Sequence, residues 1–400
     1  MKPENGPTDN IYSEEITLNP SPEYMDYVLL NLRKIKEKRR AFRIPVIGIA
    51  GSEGKTTTKR MITTILSEKG KILETPLDCH SASTVSSTIL KLNDSYQFAV
   101  LELGIINPEQ FKLAVEVAQP NIGVITNIGE AHLSNLGDKY LLADAKVELI
   151  RSLPEDGFAI LNVDDDLVSG MESFSPTSRV VKFGLNRNAH FSASQIQFLG
   201  PEGISFVVND YYSFKLPVFS ITSVLNALAA IAVARVLGIE FEEIRDALET
   251  RFQLLPGRGG LIHLKDVYLL DYSYTATVNS VGKAIESLVQ FKKYSRKVVL
   301  ILGDLEDPGA KTEVVHRNLG YFVSALPIDV IITVGESARL VGEGVKKMNH
   351  HPKVVQHCKN LANLDDLMMH FLEPHTSLLI TGKKSLQLGK VVKKFVEKLQ

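Results

Sequence analysis

The chain has 400 residues, which is enough for two or three domains of ordinary size. Hydrophobic residues make up 44% of the sequence and charged residues 23%, as in an ordinary soluble globular protein. The 45 Lys and Arg residues nearly balance the 46 Asp and Glu residues, so no overall charge draws the protein to nucleic acid or to a membrane surface. Any basic binding site must therefore be local.

The sequence predicts a cytoplasmic location. Its two cysteines, Cys79 and Cys358, lie far apart and outside any C-x-x-C pattern, as expected of free thiols in a reducing compartment. The polar, acidic N-terminus lacks the apolar core of a signal peptide. No apolar run approaches the roughly 18–20 residues that a transmembrane helix needs. We therefore expect no association with a membrane.

Residues 1–43 are predicted to form an N-terminal extension. Residues 1–22 are rich in Pro, Asn, Ser and Glu and are expected to be a mobile lead-in. A helix is predicted over residues 25–42. Its basic end, RKIKEKRR, is interpreted as a solvated helix face in preference to a phosphate site.

From residue 44 onward, predicted strands alternate with predicted helices. The first group of strands is expected at 45–50, 98–104, 122–129 and 158–163. Helices are expected after the first strand, up to about residue 70, and over 141–153. This βαβα alternation predicts a largely parallel sheet with helices on both faces.

A second group of strands follows the PGRGG turn at 256–260. These strands are expected at 268–274, 297–303, 329–335 and 377–382. We place the domain boundary near 252–256, which gives a central domain over 44–252 and a C-terminal domain over 253–400. The predicted fold class is α/β: a phosphate-loop (P-loop) central domain with a mostly parallel sheet, plus a Rossmann-like C-terminal domain.

A phosphate-binding loop is indicated by GIAGSEGKTTT at 48–58, which follows a predicted strand and opens a helix. Glycines let the backbone turn so that N–H groups face the phosphates, Lys55 adds a cation, and the Thr56 hydroxyl can ligate Mg²⁺. The helix N-terminus adds the positive end of its dipole. A chance glycine-rich turn is the weaker alternative in this strand–loop–helix context. We predict that ATP or a close relative binds to Gly51, Ser52, Glu53, Gly54, Lys55, Thr56 and Thr57.

Glu102 is singled out because it is an acidic residue within the apolar strand segment AVLELG at 99–104. A carboxylate in such a strand is costly to bury unpaired, so a cation is expected nearby. The alternative is a glutamate at an exposed strand end.

These segments together resemble the Mur ligase family, whose nucleotide loop reads G-x-x-G-K-T/S-T/S. The likeness extends from about residue 44 to the C-terminus. The motif sequences most resemble those of the members that add D-alanyl-D-alanine to a UDP-muramoyl tripeptide. Further motifs that follow in the family's order are AVLELG, VITNIGEAHLSNLG (124–137), ADAKVELI (143–150), LPGRGG (255–260) and LLDYSYTATVNS (269–280).

The resemblance implies a site for two Mg²⁺ ions. Glu102 would be the acidic ligand, and His132 would bind the second ion. Lys146 matches the lysine that is carbamylated in many of these enzymes, and the addition of CO₂ requires a neutral amine of lowered pKa. With Thr56, these groups would hold the metal ions. Outside the motifs, His132 would be interpreted as structural and Lys146 as a solvated helix residue.

The resemblance also implies ATP contacts from outside the loop. Asn226 is retained on the adenine-side helix, although the family's His-Asn pair is replaced by Thr222 and Ser223. Arg258 would reach the nucleotide phosphates, and Asp271 would line the cleft between domains with Tyr274. A turn arginine and a capping aspartate are nearly equal alternatives. Candidate substrate contacts near the C-terminus are Lys383 and Lys384.

Two departures affect the expected substrate. Only 43 residues precede the first strand, whereas those relatives carry an N-terminal domain, on the order of a hundred residues, that holds the UDP-muramoyl group. The segment LDCHSASTVS at 77–86 keeps almost none of the family's substrate loop, G-N-x-N-N-x-I-G-x-P. We therefore expect that UDP-muramoyl peptide is not the substrate.

The resemblance implies an ATP-dependent amide ligase that forms an acyl phosphate on a small-molecule carboxylate, which the amine of an amino acid or peptide then attacks. One alternative is a shortened peptidoglycan ligase that uses a partner protein for the missing domain. Another is an ATP-binding regulatory subunit that has lost ligation, although retained Glu102, His132 and Lys146 argue against it. A nucleic-acid motor is disfavoured because no basic stripe or aromatic platform occurs.

Overall fold

The structure is a computed structural model that describes residues 22–77, 81–104, 107–129, 139–306, 309–348 and 353–399. The α-helices of these residues are α1 (Pro22–Arg40), α2 (Lys55–Leu66), α3 (Ala82–Ile89), α4 (Pro108–Ala118), α5 (Lys139–Arg151), α6 (Asp166–Ser169), α7 (Ile221–Val236), α8 (Phe241–Thr250), α9 (Val278–Gln290), α10 (Thr312–Ser324), α11 (Arg339–Lys347), α12 (Leu364–Phe371) and α13 (Leu388–Leu399). Among them, no helix is both long and apolar enough to cross a membrane.

The first sheet has nine strands in the order β2-β3-β1-β4-β5-β6-β7-β8-β9. All pairs from β2 to β7 are parallel, whereas β7-β8 and β8-β9 are antiparallel. The strands are β1 (Val46–Ala50), β2 (Ile72–Glu74), β3 (Phe98–Glu102), β4 (Ile122–Ile125), β5 (Phe158–Asn162), β6 (Val180–Gly184), β7 (Phe191–Phe198), β8 (Ile204–Val208) and β9 (Tyr212–Leu216).

The second sheet has six strands in the order β10-β11-β15-β12-β13-β14. Only the β10-β11 hairpin is antiparallel among its described pairs. The strands are β10 (Gly260–Leu264), β11 (Val267–Tyr272), β12 (Lys297–Gly303), β13 (Val330–Val334), β14 (Val354–Cys358) and β15 (Thr376–Thr381). The predicted α/β class with a mostly parallel first sheet is confirmed. The division of domains at 252/253 lies between the two sheets and stays a prediction.

Hydrophobic cores cover both faces of the first sheet, as a buried parallel sheet requires. In β1, Ile47 and Ile49 join the core that includes residues of α2, α7 and α8. Val46 and Ala50 alternate with them and join the core that includes residues of α1, α3, α4 and α5. This alternation fixes the position of β1, and with it the start of the loop that follows.

The basic end of α1 is less solvated than its sequence suggests. Arg39 is buried and donates hydrogen bonds to the carbonyl oxygens of Ala118 (3.2 Å) and Phe42 (2.9 Å). Burial lowers the pKa of Arg39. Because Ala118 ends α4, the guanidinium meets the negative end of a helix dipole there. The interpretation of RKIKEKRR as a solvated face is therefore wrong for Arg39.

Candidate active site

The predicted phosphate loop joins β1 to α2. Two glycines determine its backbone conformation. Gly51 has φ 150° and Gly54 has φ 81°, both in the region that favours glycine. A Cβ at Gly51 would lie 1.9 Å from Thr126 Oγ1, and one at Gly54 would lie 2.3 Å from Asn226 Oδ1. Both positions therefore require glycine for space as well as for conformation. The buried Asn226, on α7, packs directly against the loop, and its contact with the nucleotide stays a prediction.

The segment after β4 holds the loop in place. Ser52 N donates to Asn127 O (2.9 Å), and Glu53 N donates to Asn127 Oδ1 (3.0 Å). In return, Glu53 O accepts bonds from Thr126 Oγ1 (2.6 Å) and Asn127 Nδ2 (3.1 Å). Gly129 N donates to Ser52 Oγ (2.9 Å). The T-N-I-G part of the second motif thus organises the backbone of the loop, a role that the sequence did not reveal.

Lys55 opens α2 and folds back over the loop. Its Nζ donates to Gly51 O (3.0 Å) and to Ser52 O (3.2 Å). The ammonium is therefore held at the loop, where the phosphates are predicted to bind. Thr56 and Thr57 follow in the first turn of the same helix.

A buried carboxylate lies beside the loop, as predicted for Glu102. The strand β3 pairs with β1 and places Glu102 opposite Ile49. The Thr56 hydroxyl lies 3.1 Å from Glu102 Oε1 and 3.0 Å from Glu102 Oε2. Both side chains are buried, so the alternative of an exposed strand end is wrong. Carboxylate and hydroxyl oxygens are ligands that suit Mg²⁺, and the pair fits such an ion.

Lys59 is a buried cation that the sequence analysis missed. It is only 1% exposed, and its Nζ lies 4.0 Å from Glu102 Oε2 and 3.9 Å from Glu74 Oε2. It also donates to Thr75 O at 2.6 Å. The cation expected near Glu102 is therefore at least partly a protein side chain. Its position one helical turn after Thr56 was the available clue, since such neighbours share a helix face.

Lys146 is the predicted residue whose surroundings matter most for chemistry. It is 1% exposed on α5, and its Nζ donates to Ser52 Oγ at 3.1 Å. Burial, and then the charge of Lys55, hold the pKa of Lys146 well below its ordinary value, while Asp165 opposes the shift. The alternative of a solvated helix residue is wrong. The lowered pKa favours the neutral form of this amine, which lies in contact with the phosphate loop.

The other predicted metal ligand, His132, lies outside the described residues, as do residues 78–80 of the predicted substrate segment. Within the described parts of the chain, no cluster of three or more His, Cys, Asp or Glu side chains is arranged to hold a metal ion. Thr56 and Glu102 lie in contact, and their role as metal ligands stays a prediction.

Asp271 and the 255–260 turn are tied together. Asp271 is buried, and its carboxylate accepts hydrogen bonds from Gly257 N (2.7 Å) and Ser273 N (3.1 Å). These bonds place Asp271 in the capping role that was its alternative. Its contact with the nucleotide stays a prediction.

Basic groups gather around one aromatic ring next to that turn. The guanidinium of Arg258 lies 4.0 Å from the Tyr274 ring centroid, and Lys384 Nζ donates to Tyr274 Oη at 3.3 Å. Burial raises the pKa of the nearby Glu306, against the influence of Lys384 and Arg258. Lys383 instead pairs with Asp304 at 3.2 Å. Of the two candidate lysines, Lys384 is the one beside Arg258 and Tyr274.

The phosphate loop also contacts the part of the chain that forms the second sheet. The carboxylate of Glu53 accepts a bond from Thr277 Oγ1 (3.0 Å) and pairs with Lys283 Nζ (3.0 Å). Thr277 caps α9, and Lys283 lies within that helix. The side chain of one loop residue therefore contacts the C-terminal part of the chain, which no sequence pattern indicated.

The comparisons with known proteins agree with this geometry. Residues 49–234 match the family described as Mur ligase middle domain, and residues 250–384 match the Mur ligase, glutamate ligase domain. The chain is 28% identical to the UDP-N-acetylmuramoyl-tripeptide–D-alanyl-D-alanine ligase of Synechocystis sp., over 88% of this chain and 75% of the relative. It is 29% identical to the enzyme of that name from Escherichia coli, over 88% of this chain and 77% of the relative.

Solved structures give the same result. A crystal structure of MurF from Acinetobacter baumannii is similar with a TM-score of 0.80 and 27% identity, covering 91% of this chain and 79% of that one. MurF ligase from Thermotoga maritima in complex with ADP has a TM-score of 0.80 at 21% identity, covering 93% and 84%. The second likeness concerns the fold alone. The chain belongs to the Mur ligase family and is an ATP-dependent, ADP-forming amide ligase.

Proposed function

We propose that this ligase forms an acyl phosphate on a substrate carboxylate and transfers the acyl group to the amine of an amino acid or peptide. The observation that carries the proposal is the convergence on one loop of a folded-back ammonium, a buried hydroxyl–carboxylate pair and a buried amine. These groups belong to Lys55, Thr56, Glu102 and Lys146.

The reaction has two steps. In the first, a carboxylate oxygen attacks the γ-phosphorus of ATP, the bond from that phosphorus to the β,γ-bridging oxygen breaks, and ADP leaves. In the second, the amine nitrogen attacks the carbonyl carbon of the acyl phosphate, the bond from that carbon to the phosphate oxygen breaks, and inorganic phosphate leaves. The amine loses a proton as the amide forms. Lys55 would offset the negative charge that develops around the γ-phosphoryl group.

Two Mg²⁺ ions are part of the proposal, and when bound they would neutralise phosphate charge. Thr56 and Glu102 would hold one ion, and His132 would serve the other. The neutral Lys146 amine is proposed to add to CO₂, which forms an N–C bond and releases a proton. The resulting carbamate anion would give the site a further oxygen ligand. The lowered pKa of Lys146 supports this step because only the neutral amine reacts.

Two classes of carboxylate substrate are candidates, and a different observation supports each of them. The altered segment at 77–86 favours a small peptide or other carboxylate that carries no UDP-muramoyl group. The names of the relatives favour UDP-muramoyl tripeptide, with D-alanyl-D-alanine as the amine. A regulatory subunit without ligation is not favoured, since these relatives are named as ligases. A cytoplasmic location and a partner protein that supplies substrate contacts stay predictions.

We expect phosphate release from ATP to require both a carboxylate and an amine. The test measures this release across peptide carboxylates without a sugar nucleotide and with UDP-muramoyl tripeptide, each with and without amino acids or D-alanyl-D-alanine. Turnover only with carboxylates that lack the nucleotide would support the first substrate class. Turnover only with UDP-muramoyl tripeptide would overturn it in favour of the second. No turnover with any pair would contradict the proposed chemistry.

Replacing Glu102 with glutamine should raise the Mg²⁺ concentration that nucleotide binding requires. The amide keeps the shape of the side chain but removes the charge that would hold the ion beside Thr56. We expect the Mg²⁺ concentration for half-maximal binding of ADP to rise about tenfold or more. Titration calorimetry of ADP over a series of Mg²⁺ concentrations measures this shift.

The matched control is Glu74→Gln. Glu74 lies at a similar distance from Lys59 but is half exposed and forms no bond with Thr56 among the described contacts. Its substitution should leave the Mg²⁺ dependence unchanged. Equal shifts in the two variants would mean that Glu102 acts through Lys59 and not as a metal ligand.

A further inference from the structure

Glu53 occupies a loop position that the family's motif leaves open, and it is held from two sides. Its backbone N–H and C=O bond to Asn127 and Thr126, which follow β4. Its side chain extends the other way, to Thr277 and Lys283. The Glu53 side chain is 18% exposed and the Lys283 side chain 42% exposed, so the pair is partly shielded from water.

The C-terminal partners of Glu53 are themselves fixed in position. Thr277 Oγ1 accepts a bond from Ser280 N at 3.1 Å and so caps α9 while it donates to Glu53. Lys283 follows on the same helix, less than two turns later. The first turns of α9 are therefore attached to a residue between the two loop glycines Gly51 and Gly54.

We propose that Glu53 is a positioning residue that, through Thr277 and Lys283, couples the conformation of the ATP loop to closure of the C-terminal part of the chain over it. The carboxylate does not take part in the chemistry. It links the loop that is predicted to receive the phosphates to α9 in the C-terminal part of the chain, so each would favour the arrangement in which the other is in contact with it. This inference rests on the ATP dependence of the family and not on the identity of the carboxylate substrate.

The coupling is tested with the full chain and with MgADP as the probe, so no ligation substrate is needed. Glu53→Gln and Lys283→Met each remove one charge of the pair. Each should weaken MgADP binding about threefold to tenfold, as expected of a partly shielded charge pair. The double variant should bind no more weakly than either single variant, because both changes remove one contact. Calorimetry gives the affinities, and the thermal midpoint shows that each variant is folded.

Charge reversal provides the second measurement. In nucleotide-free protein, Glu53→Lys should increase the radius of gyration in small-angle X-ray scattering, since like charges would then face each other. Adding Lys283→Glu should return the radius to that of the wild type, which a merely local effect on the loop would not produce. Lys293→Met changes an exposed lysine just beyond α9 and is the matched control; neither affinity nor radius should change.

Two results would overturn the proposal. Additive losses in the Glu53→Gln/Lys283→Met variant would mean that Lys283 contacts the nucleotide independently of Glu53. Unchanged affinity and radius in the single variants would mean that the contact has no influence on closure. Neither readout involves turnover, so failure of this inference is distinct from failure of the acyl phosphate chemistry.

Discussion

Lys55→Ala is expected to lower ATP-dependent ligation by about 10²–10³-fold, the effect of removing one group that stabilises transition-state charge. The ammonium lies against the carbonyl oxygens of Gly51 and Ser52, within the loop itself. Truncation of the side chain should leave the backbone conformation of the loop unchanged, because its glycines determine that conformation. It removes the cation that would lie beside the γ-phosphoryl group. Phosphate release in the presence of carboxylate and amine measures the loss.

Lys69→Ala is the appropriate comparison for Lys55→Ala. Lys69 lies just beyond the other end of α2, is partly exposed and pairs with Glu243. The Lys69→Ala variant should keep full ligation activity. Lys55→Arg should be more active than Lys55→Ala because it retains the positive charge. A Lys55→Ala enzyme with near wild-type turnover would remove Lys55 from the mechanism.

Lys146→Met is expected to abolish ligation without destabilising the fold at neutral pH. An unfolded lysine has a pKa of about 10.4, and burial holds the folded pKa well below it, so the unfolded chain binds more protons at pH values between the two. Lys146 therefore opposes folding at pH 7, and this opposition decreases as the pH rises towards about 10.4. Methionine fills similar space without a proton to lose. Thermal unfolding in CO₂-free buffer should show an equal or higher midpoint for the variant at pH 7, and a smaller difference at pH 9.

The carbamate proposal gives Lys146 a second test. Removal of CO₂ should lower wild-type turnover, and bicarbonate should restore it. In Lys146→Ala, added formate or acetate should restore part of the activity by placing a carboxylate in the vacated space. Lys139→Met, an exposed position at the start of α5, should respond as the wild type does. Turnover that is insensitive to CO₂ would leave Lys146 a role as a neutral hydrogen-bond donor to Ser52.

Much of the fold was predictable from local patterns. The apolar strands β1, β3, β4 and β5 were located within a few residues, since strands buried in a parallel sheet form continuous hydrophobic runs. The antiparallel strands β7, β8 and β9 were not assigned. Their burial alternates between the two faces, as in FSASQIQF, so the pattern contains polar residues and is weaker.

Candidate site residues were predictable to the extent that their chemistry depends on nearby sequence. The glycines, Lys55 and Thr56 lie on one strand–loop–helix unit, and that unit determines their arrangement. Lys146 was identified only through its motif, because helical periodicity suggested a solvated position. Its hydrogen-bond partner in the buried site, Ser52, lies 94 positions earlier in the chain.

The α/β class, the phosphate-loop motif and membership of the family could be inferred from the sequence alone, because each is encoded in short segments whose residues act on their neighbours. Which distant groups meet became clear only from the folded structure. Lys59 lies beside Glu102, Asp271 holds the turn at Gly257, and Glu53 reaches α9. Strand order and helix packing bring these partners together across long intervals of chain. The same packing excludes water from Lys146, and the loss of hydration, which no local pattern records, lowers its pKa.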